Sequence, residues 1–371
     1  MPFTASNQWP ETELGTNMFL TDSRQVTRSL FLEDDPNRII AAEVGPAFQE
    51  YRRRWDLARG FRLQLPFPLH VDYELFYACN LRCPICLMSL PPQERSLYGD
   101  SKQALSLETM KRLLSEGASR GQAAAGLNGI CEPLLSPELP EIVSYARRVG
   151  LLDVMFSTNG LLLEEKISRE LIAAGLTRLM ISLDAATEAT YARIRVGSDF
   201  RRVTENILNF LRLRREMKSR LPVVRVSFCV TSLNEHELDL FIRTWSSRVD
   251  FISIQHYGNT FTGQRASDRS RLFPEGYHYD YTQGTRCGQP WKRVMVRHNG
   301  DVIPCCDASG LALVIGNIHG GELADIWLGE KAVSLRRLHQ QGRSYEEPIC
   351  RRCLTKWGPP SEKAGPERRL E

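Results

Sequence analysis

The sequence predicts an α/β fold in which helices cover a parallel sheet, followed by a smaller cysteine-containing domain. Six short apolar stretches between residues 70 and 257 alternate with segments of helical periodicity. Repeated strand–helix units imply a parallel sheet, and six strands are enough for an open doubly wound sheet or an incomplete barrel. In both architectures, ligand chemistry takes place at the carboxyl ends of the strands.

The individual elements follow from local patterns. The strands are predicted over residues 70–76, 123–129, 151–157, 178–184, 223–230 and 251–257. The helices are predicted over residues 107–117, 137–150, 164–175, 187–195, 200–218 and 234–247. Ser106 is placed to cap the first helix, because its hydroxyl can accept a hydrogen bond from a free backbone N–H. Gly150 and Gly175 stand at helix ends, where glycine is favoured.

Four regions are expected along the chain. Residues 1–66 show no strand pattern and are predicted to form a helical lead-in, which Pro66 and Pro68 separate from the first strand. Residues 67–257 form the barrel or sheet, and residues 258–357 contain a linker and the second domain. The tail, residues 358–371, is rich in proline, glycine and charge and is expected to be disordered.

The composition is that of an ordinary globular protein. Of 371 residues, 42% are apolar and 25% charged, and the net charge of +4 gives no reason to expect nucleic acid as a partner. No apolar stretch is long enough to span a bilayer, and the polar start is no signal peptide, so we expect a cytoplasmic protein with no membrane association. In a reducing compartment, the ten cysteines are expected to bind metal or do chemistry.

Three cysteines follow the first predicted strand. Cys79, Cys83 and Cys86 have three and then two residues between them, so their thiolates can converge on one centre. A structural zinc site normally has four ligands, which makes a group of three a poor zinc site. Three thiolates suit a four-iron four-sulfur cluster with one iron left open for chemistry. The alternative is three buried cysteines that stand near each other by chance.

With this spacing, the sequence resembles the radical S-adenosylmethionine superfamily, and four further motifs follow in that family's order. The resemblance implies a partial (β/α)6 TIM-like barrel in which Glu132 of GICEPLL, Ser157 and Asn159 of STNG, Ser182 of SLDA and Arg195 of YARIR bind S-adenosylmethionine. It also implies a 5′-deoxyadenosyl radical that takes a hydrogen atom from the substrate. Each residue alone has an ordinary alternative, such as a helix cap, a turn or a solvated charge.

A second cysteine group lies beyond the barrel. Cys287, Cys305, Cys350 and Cys353 form a four-thiolate set, for which zinc is one interpretation. HNGDVIPC reads as a hairpin with Asn299-Gly300 as its turn.

The spacing of these cysteines is similar to that of the SPASM and twitch enzymes of the same superfamily. No cysteine follows Cys353, so the shorter twitch form is expected, with one auxiliary four-iron four-sulfur cluster bound by all four thiolates. Within the subgroup, the chain is similar to the 2-deoxy-scyllo-inosamine dehydrogenases, which oxidise a secondary alcohol of an aminocyclitol. A cluster without an open iron is expected to transfer electrons.

Three cysteines belong to neither group. Cys306 is expected to pack, pointing away from its neighbour Cys305, although it could replace Cys305 as a ligand. Cys229 lies in an apolar strand and is expected to be a core residue. Cys131 stands in the loop expected to bind S-adenosylmethionine and is the candidate catalytic thiol, which could donate a hydrogen atom to a substrate radical.

The expected function is therefore radical oxidation of a carbinol C–H in a sugar, cyclitol or similar small metabolite, with the auxiliary cluster as electron acceptor. A reductant such as flavodoxin or ferredoxin would supply the first electron. One alternative is a redox-neutral epimerase with Cys131 as hydrogen donor, and another is a peptide maturase of the SPASM type. A third alternative is an electron-transfer or metal-binding module without enzymatic activity.

Overall fold

The computed structural model describes residues 19–20, 27–31, 35–261, 263–274 and 286–355. Its strands form one continuous eleven-stranded sheet in the order β1-β2-β8-β7-β6-β5-β4-β3-β9-β10-β11. The strands are β1 (Phe19–Leu20), β2 (Thr27–Phe31), β3 (His70–Tyr73), β4 (Ala124–Gly126), β5 (Asp153–Thr158), β6 (Arg178–Ser182), β7 (Val223–Val230), β8 (Phe251–His256), β9 (Arg293–Val296), β10 (Asp301–Ile303) and β11 (Gly316–Asn317).

Fourteen α-helices accompany these strands in the described residues. They are α1 (Pro36–Val44), α2 (Pro46–Arg59), α3 (Pro92–Arg95), α4 (Leu107–Ser119), α5 (Leu139–Arg148), α6 (Glu165–Ala173), α7 (Glu188–Ile194), α8 (Phe200–Glu216), α9 (Leu238–Trp245), α10 (Gly263–Ser270), α11 (Gln289–Lys292), α12 (Leu323–Leu328), α13 (Glu330–Gln340) and α14 (Pro348–Thr355).

The central part of the sheet is the predicted parallel unit. Strands β3 to β8 pair with their neighbours in chain order, and every pair is parallel. The helices after the strands pack on the outer side and, with the strands, bury one continuous apolar core. The predicted α/β class with a mostly parallel sheet is confirmed.

The local signals that end helices act as expected. The Ser106 hydroxyl accepts a hydrogen bond of 3.2 Å from the Thr109 N–H and so caps α4. Gly150 and Gly175, after α5 and α6, have φ angles of 101° and 83°, in the left-handed region that glycine adopts without a steric penalty. These caps direct the chain back into the next strand.

The lead-in differs from the prediction in one respect. Helices α1 and α2 are present as expected, but residues 1–66 also contribute strands β1 and β2. Strand β2 pairs antiparallel with β8, from Thr27 opposite Gln255 to Phe31 opposite Phe251. The expectation that this region has no strand was wrong, because β2 forms by covering the free backbone edge of a distant strand. The predicted disordered tail lies outside the described residues.

The opposite edge of the barrel sheet is extended by the second domain. Strand β9 pairs parallel to β3, with Arg293 opposite His70, and β10 returns antiparallel. The predicted hairpin turn is present, and Gly300 has a φ of 85°. Because β10 runs back along β9, the residues after Ile303 arrive near the amino end of β3, opposite the end that carries the first cysteines.

Helix α2 lies at this amino end. The Trp55 ring centroid is 5.9 Å from that of His70, and the Lys292 Nζ lies 4.1 Å from the Trp55 ring centroid. Lys292 is only 6% exposed. Burial, together with the nearby Arg293 and Arg59, lowers the pKa of Lys292 to about 7.

No helix in the described part of the chain is long and apolar enough to cross a membrane.

The buried Lys292 makes stability depend on pH. In the unfolded chain this lysine holds its proton up to about pH 10.4, whereas in the folded protein it releases it near pH 7. The unfolded state therefore binds more protons at Lys292 between these values, and the contribution of Lys292 to the free energy of unfolding should rise with pH there by at most about 1.4 kcal/mol per unit. Urea unfolding from pH 6.5 to 9.5, without oxygen, measures this slope.

In Lys292→Met the rise with pH should flatten, and stability at pH 7 should increase. Lys331→Met, which removes an exposed lysine on α13, is the matched control and should retain the wild-type slope. Equal slopes for all three proteins would show that Lys292 does not carry the effect.

Candidate active site and iron–sulfur centres

The first cysteine group forms a compact loop after β3. The Cys86 N–H donates a hydrogen bond of 2.9 Å to the Cys83 carbonyl, and the Leu81 N–H lies 3.4 Å from the Cys79 Sγ. Cys83 is buried, and Cys79 and Cys86 are half-buried. The loop thus presents three thiols at the carboxyl end of the first barrel strand, as the spacing predicted.

Burial controls the charge of these thiols. It raises the pKa of Cys79, and it raises that of Cys86 to about 12, with the neighbouring thiols adding to the effect. The Cys79 and Cys86 thiols therefore remain protonated until a cation replaces their protons. A soft, thiolate-binding cation is the partner that fits this donor set, and four-iron four-sulfur clusters meet that requirement.

Glu132 is 2% exposed and joins two loops of the site. Its Oε1 accepts hydrogen bonds from the Thr158 hydroxyl (2.7 Å) and the Leu134 N–H (3.1 Å), and its Oε2 accepts one from the Asn159 N–H (2.8 Å). The carboxylate thus caps the short 3-10 helix Pro133–Leu135 and not the helix after Pro137. Burial raises the pKa of Glu132, against these hydrogen bonds.

Asn159 connects the end of β5 to the cysteine loop. Its Nδ2 donates a hydrogen bond of 2.8 Å to the Asn80 Oδ1 and lies 4.0 Å from the Cys79 Sγ. The Ser157 N–H, in turn, donates to the Asn128 Oδ1 at 2.7 Å. These contacts place Asn159 directly beside the thiol of Cys79 and connect Ser157 to the loop after β4.

Arg195 approaches the thiols from the other side. Its guanidinium pairs with the buried Asp184 carboxylate, and its Nη1 lies 3.7 Å from the Cys83 Sγ. The Asp184 Oδ1 also accepts a hydrogen bond of 2.7 Å from the Cys229 N–H. Burial raises the pKa of Asp184, although the adjacent Arg195 opposes this. Arg195 therefore places a fixed positive charge against the cysteine loop.

One cavity of about 660 Å³ unites these groups inside the barrel. Its upper part, at the carboxyl ends of the strands, is lined by the three cysteines and by all five predicted S-adenosylmethionine contacts: Glu132, Ser157, Asn159, Ser182 and Arg195. Cys131 lines the same region, and methionines from several strands form much of the remaining wall. The structure thus brings together residues that are more than a hundred positions apart in sequence.

The deeper part of the cavity contains charged residues that the sequence analysis did not single out. The Arg293 Nη1 lies 3.5 Å from the Asp72 Oδ2 and 2.8 Å from the Cys306 Sγ. Burial raises the pKa of Asp72, but Arg293 and His70 outweigh it and bring the value to about 2. Asp72 is therefore ionised at neutral pH, and its Oδ2 has no hydrogen-bond partner among the described residues.

Cys306 does not pack as expected. It is exposed to the cavity and contacts Arg293, so the prediction of a packing role was wrong. The pairing of β10 with β9 sets the direction of the segment after β10, and this segment places Cys306 at the cavity. The sequence alone does not show this pairing. Cys229, by contrast, packs against a small apolar cluster with Tyr257, Leu272 and Phe273, which confirms its predicted role.

Cys131 is half-buried in the cavity wall. Burial, with the nearby carboxylates of Glu74 and Glu132, raises the pKa of its thiol well above the usual range. The group therefore carries its hydrogen at neutral pH, as a hydrogen-atom donor must.

The second cysteine group lies around α13 and α14. Cys350 and Cys353 are three positions apart on α14 and so share one helix face, and Cys305 lies within electrostatic range of Cys353. His339 connects the remaining members, since its Nδ1 is 2.7 Å from the Cys287 carbonyl oxygen and its Nε2 is 3.4 Å from the Cys350 Sγ. Burial raises the pKa of Cys305, so its proton must be displaced before this thiol can bind a metal. Four thiols are a donor set of the kind that iron–sulfur centres use.

Some residues that the sequence analysis missed had a usable signal. Asp72 and Arg225 interrupt apolar strands at inward-facing positions, where a charge is unexpected. Arg293 and His339 gave no such signal, because their roles depend on the packing of the second domain against the barrel.

A partial α/β barrel with three thiols after its first strand, joined to a domain with four more, defines an iron–sulfur protein. Residues 73–242 match the family model of the radical SAM superfamily, and residues 287–354 match the SPASM iron–sulfur cluster-binding domain. The protein is a radical SAM protein with a C-terminal SPASM domain, which confirms the predicted class. Its cofactors are S-adenosylmethionine, the four-iron four-sulfur cluster that binds it, and auxiliary iron–sulfur centres in the SPASM domain.

Curated relatives with different activities are similar to this chain. The GTP 3′,8-cyclase of Alkaliphilus oremlandii (strain OhILAs) is 30% identical over 184 residues, which are 48% of this chain and 54% of that protein. The chain thus spans about half the length of this relative. The PqqA peptide cyclase of Xanthomonas axonopodis pv. citri (strain 306) is 26% identical over 330 residues, which are 79% of this chain and 82% of that protein.

Solved structures are similar to this chain at low sequence identity. Streptococcus suis SuiB bound to S-adenosylmethionine is 12% identical with a TM-score of 0.53, covering 78% of this chain and 72% of that one. BtrN in complex with AdoMet and 2-DOIA is 17% identical with a TM-score of 0.48, covering 78% and 93%.

Iron content should separate the two cysteine groups. A fully reconstituted protein with two four-iron clusters holds about eight irons. Cys83→Ala and Cys353→Ala should each hold about four, but only Cys83→Ala should lose reductive cleavage of S-adenosylmethionine. Iron and sulfide are counted after anaerobic reconstitution, and 5′-deoxyadenosine is measured by chromatography.

Cys229→Ala removes a packing cysteine and is the matched control, which should keep all the iron. If Cys353→Ala retains its full iron content, the second group does not bind a cluster as predicted. Zinc in place of iron at that group would be equally decisive.

Proposed function

We propose that this radical SAM protein oxidises a carbinol C–H of a sugar, cyclitol or similar small metabolite. One observation carries the proposal. The same cavity is lined at its upper end by Cys79, Cys83 and Cys86 and at its deeper end by Cys306, directly after the predicted auxiliary ligand Cys305. A substrate in this cavity would lie between the site of hydrogen abstraction and the proposed electron acceptor.

The proposed reaction removes one hydrogen atom, one electron and one proton from an alcohol. A cluster held by Cys79, Cys83 and Cys86, with S-adenosylmethionine, would supply the radical chemistry that removes the carbinol hydrogen. A cluster held by Cys287, Cys305, Cys350 and Cys353 would accept the electron, the hydroxyl proton would pass to a base, and the product would be a ketone. A reductant of the ferredoxin or flavodoxin class provides the electron that starts each cycle.

The residues of the deeper cavity suit an alcohol substrate. Asp72 is ionised, and its Oδ2 has an ion pair with Arg293 at 3.5 Å but no hydrogen-bond donor among the described residues, so it can accept a hydrogen bond from a substrate hydroxyl. Glu74 is less available, because its carboxylate already contacts His298 (2.6 Å), Arg297 (3.3 Å) and the Ile130 N–H (2.8 Å). We therefore assign Asp72 as the group that accepts a hydrogen bond from the substrate hydroxyl.

The cavity volume favours a small substrate. Pockets of about 300–1,000 Å³ enclose a single drug-sized ligand. This one must hold both S-adenosylmethionine and the reacting part of the substrate within about 660 Å³. A peptide, which is larger, is the main alternative substrate, because the PqqA peptide cyclase matches most of the chain.

Oxidation should give a fixed product ratio. We expect one 5′-deoxyadenosine for each ketone formed from the substrate, because each turnover uses one radical and the auxiliary cluster takes the second electron. Cys350→Ala should still cleave S-adenosylmethionine but should lose ketone formation by at least tenfold. Both products are quantified by mass spectrometry in anaerobic assays that screen metabolites for deuterium transfer into 5′-deoxyadenosine.

A product with the same oxidation state as the substrate would rule out the proposal. A product with the mass of a cross-linked peptide would favour the maturase alternative instead.

A redox-neutral epimerase is the second candidate, favoured by the position of Cys131 in the cavity wall. In this reaction the Cys131 thiol would return a hydrogen atom to the substrate radical, and no electron would reach the auxiliary cluster. The thiyl radical formed on Cys131 would then need an electron and a proton, supplied by the same external reductant and by solvent.

Solvent isotope incorporation distinguishes the epimerase. In D₂O, the thiol exchanges its hydrogen, so an epimerase using Cys131 should place deuterium at the substrate carbon. Cys131→Ala should then lose product by at least tenfold while still forming 5′-deoxyadenosine, and Cys229→Ala should behave as wild type. Normal turnover of Cys131→Ala would remove Cys131 from the mechanism.

A further inference from the structure

Arg225 lies in the wall of the cavity on β7. It is opposite Met180 on β6 and Phe251 on β8, and all three positions share the inner face of the sheet. The cavity lining includes Arg225 together with Arg195 and Arg293. These three arginines differ in what neutralises them.

Two of the three arginines have a carboxylate partner. Arg195 pairs with Asp184, and Arg293 lies 3.5 Å from Asp72. Arg225 forms no hydrogen bond or ion pair with any described residue, and its Nε is buried without a partner. Its guanidinium carbon lies 6.0 Å from the Phe251 ring centroid, which is its one aromatic contact among the described residues.

The charge on Arg225 is not relieved by its neighbours. Arg178 is itself paired with Asp153 at 2.9 Å and repels Arg225. Burial and this repulsion lower the pKa of Arg225 to about 10, so the guanidinium is still positive at neutral pH. Because an unpaired charge in a cavity wall is costly, an anion from a ligand is the partner that this position lacks.

Arg225 lies apart from the residues that are predicted to bind S-adenosylmethionine. Ser182, a predicted S-adenosylmethionine contact, is opposite Ser227, which lies two residues after Arg225 on the same face. Arg225 is thus one inward-facing layer, roughly 7 Å, nearer the amino ends of the strands. Arg195, which pairs with Asp184, lies at the cysteine end instead.

We propose that Arg225 binds an anionic group of the substrate, a carboxylate or a phosphate, so that the metabolite is a sugar acid, a sugar or cyclitol phosphate, or a comparable anion. A planar guanidinium fits both groups through paired N–H donors. The inference deepens the proposed function and rests on it in taking the cavity as the substrate site. With the anion at Arg225, the substrate hydroxyl would face Asp72 on β3, four strands along the sheet.

Site-specific chemical modification tests this inference without knowledge of the substrate. The reconstituted full chain, with S-adenosylmethionine and without reductant, is treated with phenylglyoxal, which modifies guanidinium groups. Sodium phosphate and sodium acetate are the probes, and sodium chloride at equal ionic strength is the reference. Modification of each arginine is followed by peptide mass spectrometry, and the exposed Arg215 is an internal control.

We expect phosphate or acetate to slow the modification of Arg225 at least about threefold relative to chloride, with Arg215 unchanged. Protection by acetate alone indicates a carboxylate substrate, and protection by phosphate alone indicates a phosphorylated one. Equal rates at Arg225 in all three salts would overturn the inference. No modification of Arg225 in chloride would also overturn it, since no ligand could then reach the group.

Variants supply an independent measurement. The protecting anion should raise the thermal unfolding midpoint of the wild type, and Arg225→Lys should keep part of this rise. Arg225→Gln should lose it, whereas Arg215→Gln should keep it in full. An undiminished rise in Arg225→Gln would contradict the inference. Because no reductant is present, these results do not depend on whether the enzyme oxidises, epimerises or cross-links its substrate.

Discussion

The register of β3 is the constraint on which the rest of the structure depends. This strand is buried and hydrogen-bonded on both sides, to β4 of the barrel and to β9 of the second domain, and both pairings are parallel. Its carboxyl end leads into the loop of Cys79, Cys83 and Cys86. Its first residue, His70, is opposite Arg293 of β9, and Arg293 contacts Cys306. A shift of one residue in this pairing would turn Arg293 away from the cavity.

The same strand sets the charges inside the barrel. His70 and Asp72 point inward from β3, and a hydrogen bond of 3.1 Å joins them. Arg293 arrives opposite His70 and supplies the positive charge that keeps Asp72 ionised. Two positions after Asp72, just beyond β3, Glu74 contacts His298 and Arg297 from the second domain. The two domains are thus joined by buried pairs of opposite charge, and Asp72, Glu74 and Arg293 of these pairs also line the cavity.

The sequence alone predicted the parts of this arrangement that depend on local order. The six barrel strands, the cap at Ser106 and the hairpin at Gly300 follow from patterns a few residues long. Strand β2, the exposure of Cys306 to the cavity and the contact of His339 with Cys350 do not, because each needs two segments far apart in the chain to meet. The cysteine spacing predicted the iron–sulfur chemistry, because thiolates that bind one centre from a single loop must lie close in sequence. The polar residues of the deeper cavity come from separate strands, each with one inward charge among apolar neighbours.

In the proposed function, oxidation and epimerisation would compete for one substrate radical. Loss of an electron needs an acceptor near the deeper end of the cavity, where Cys305 and Cys306 lie. Gain of a hydrogen atom needs an S–H group within contact of the radical carbon, and Cys131 stands at the upper end, next to Glu132. An anion bound at Arg225 and a hydroxyl at Asp72 would hold the substrate in the deeper half, away from Cys131. This placement favours electron loss, because electron transfer tolerates a gap that hydrogen transfer does not.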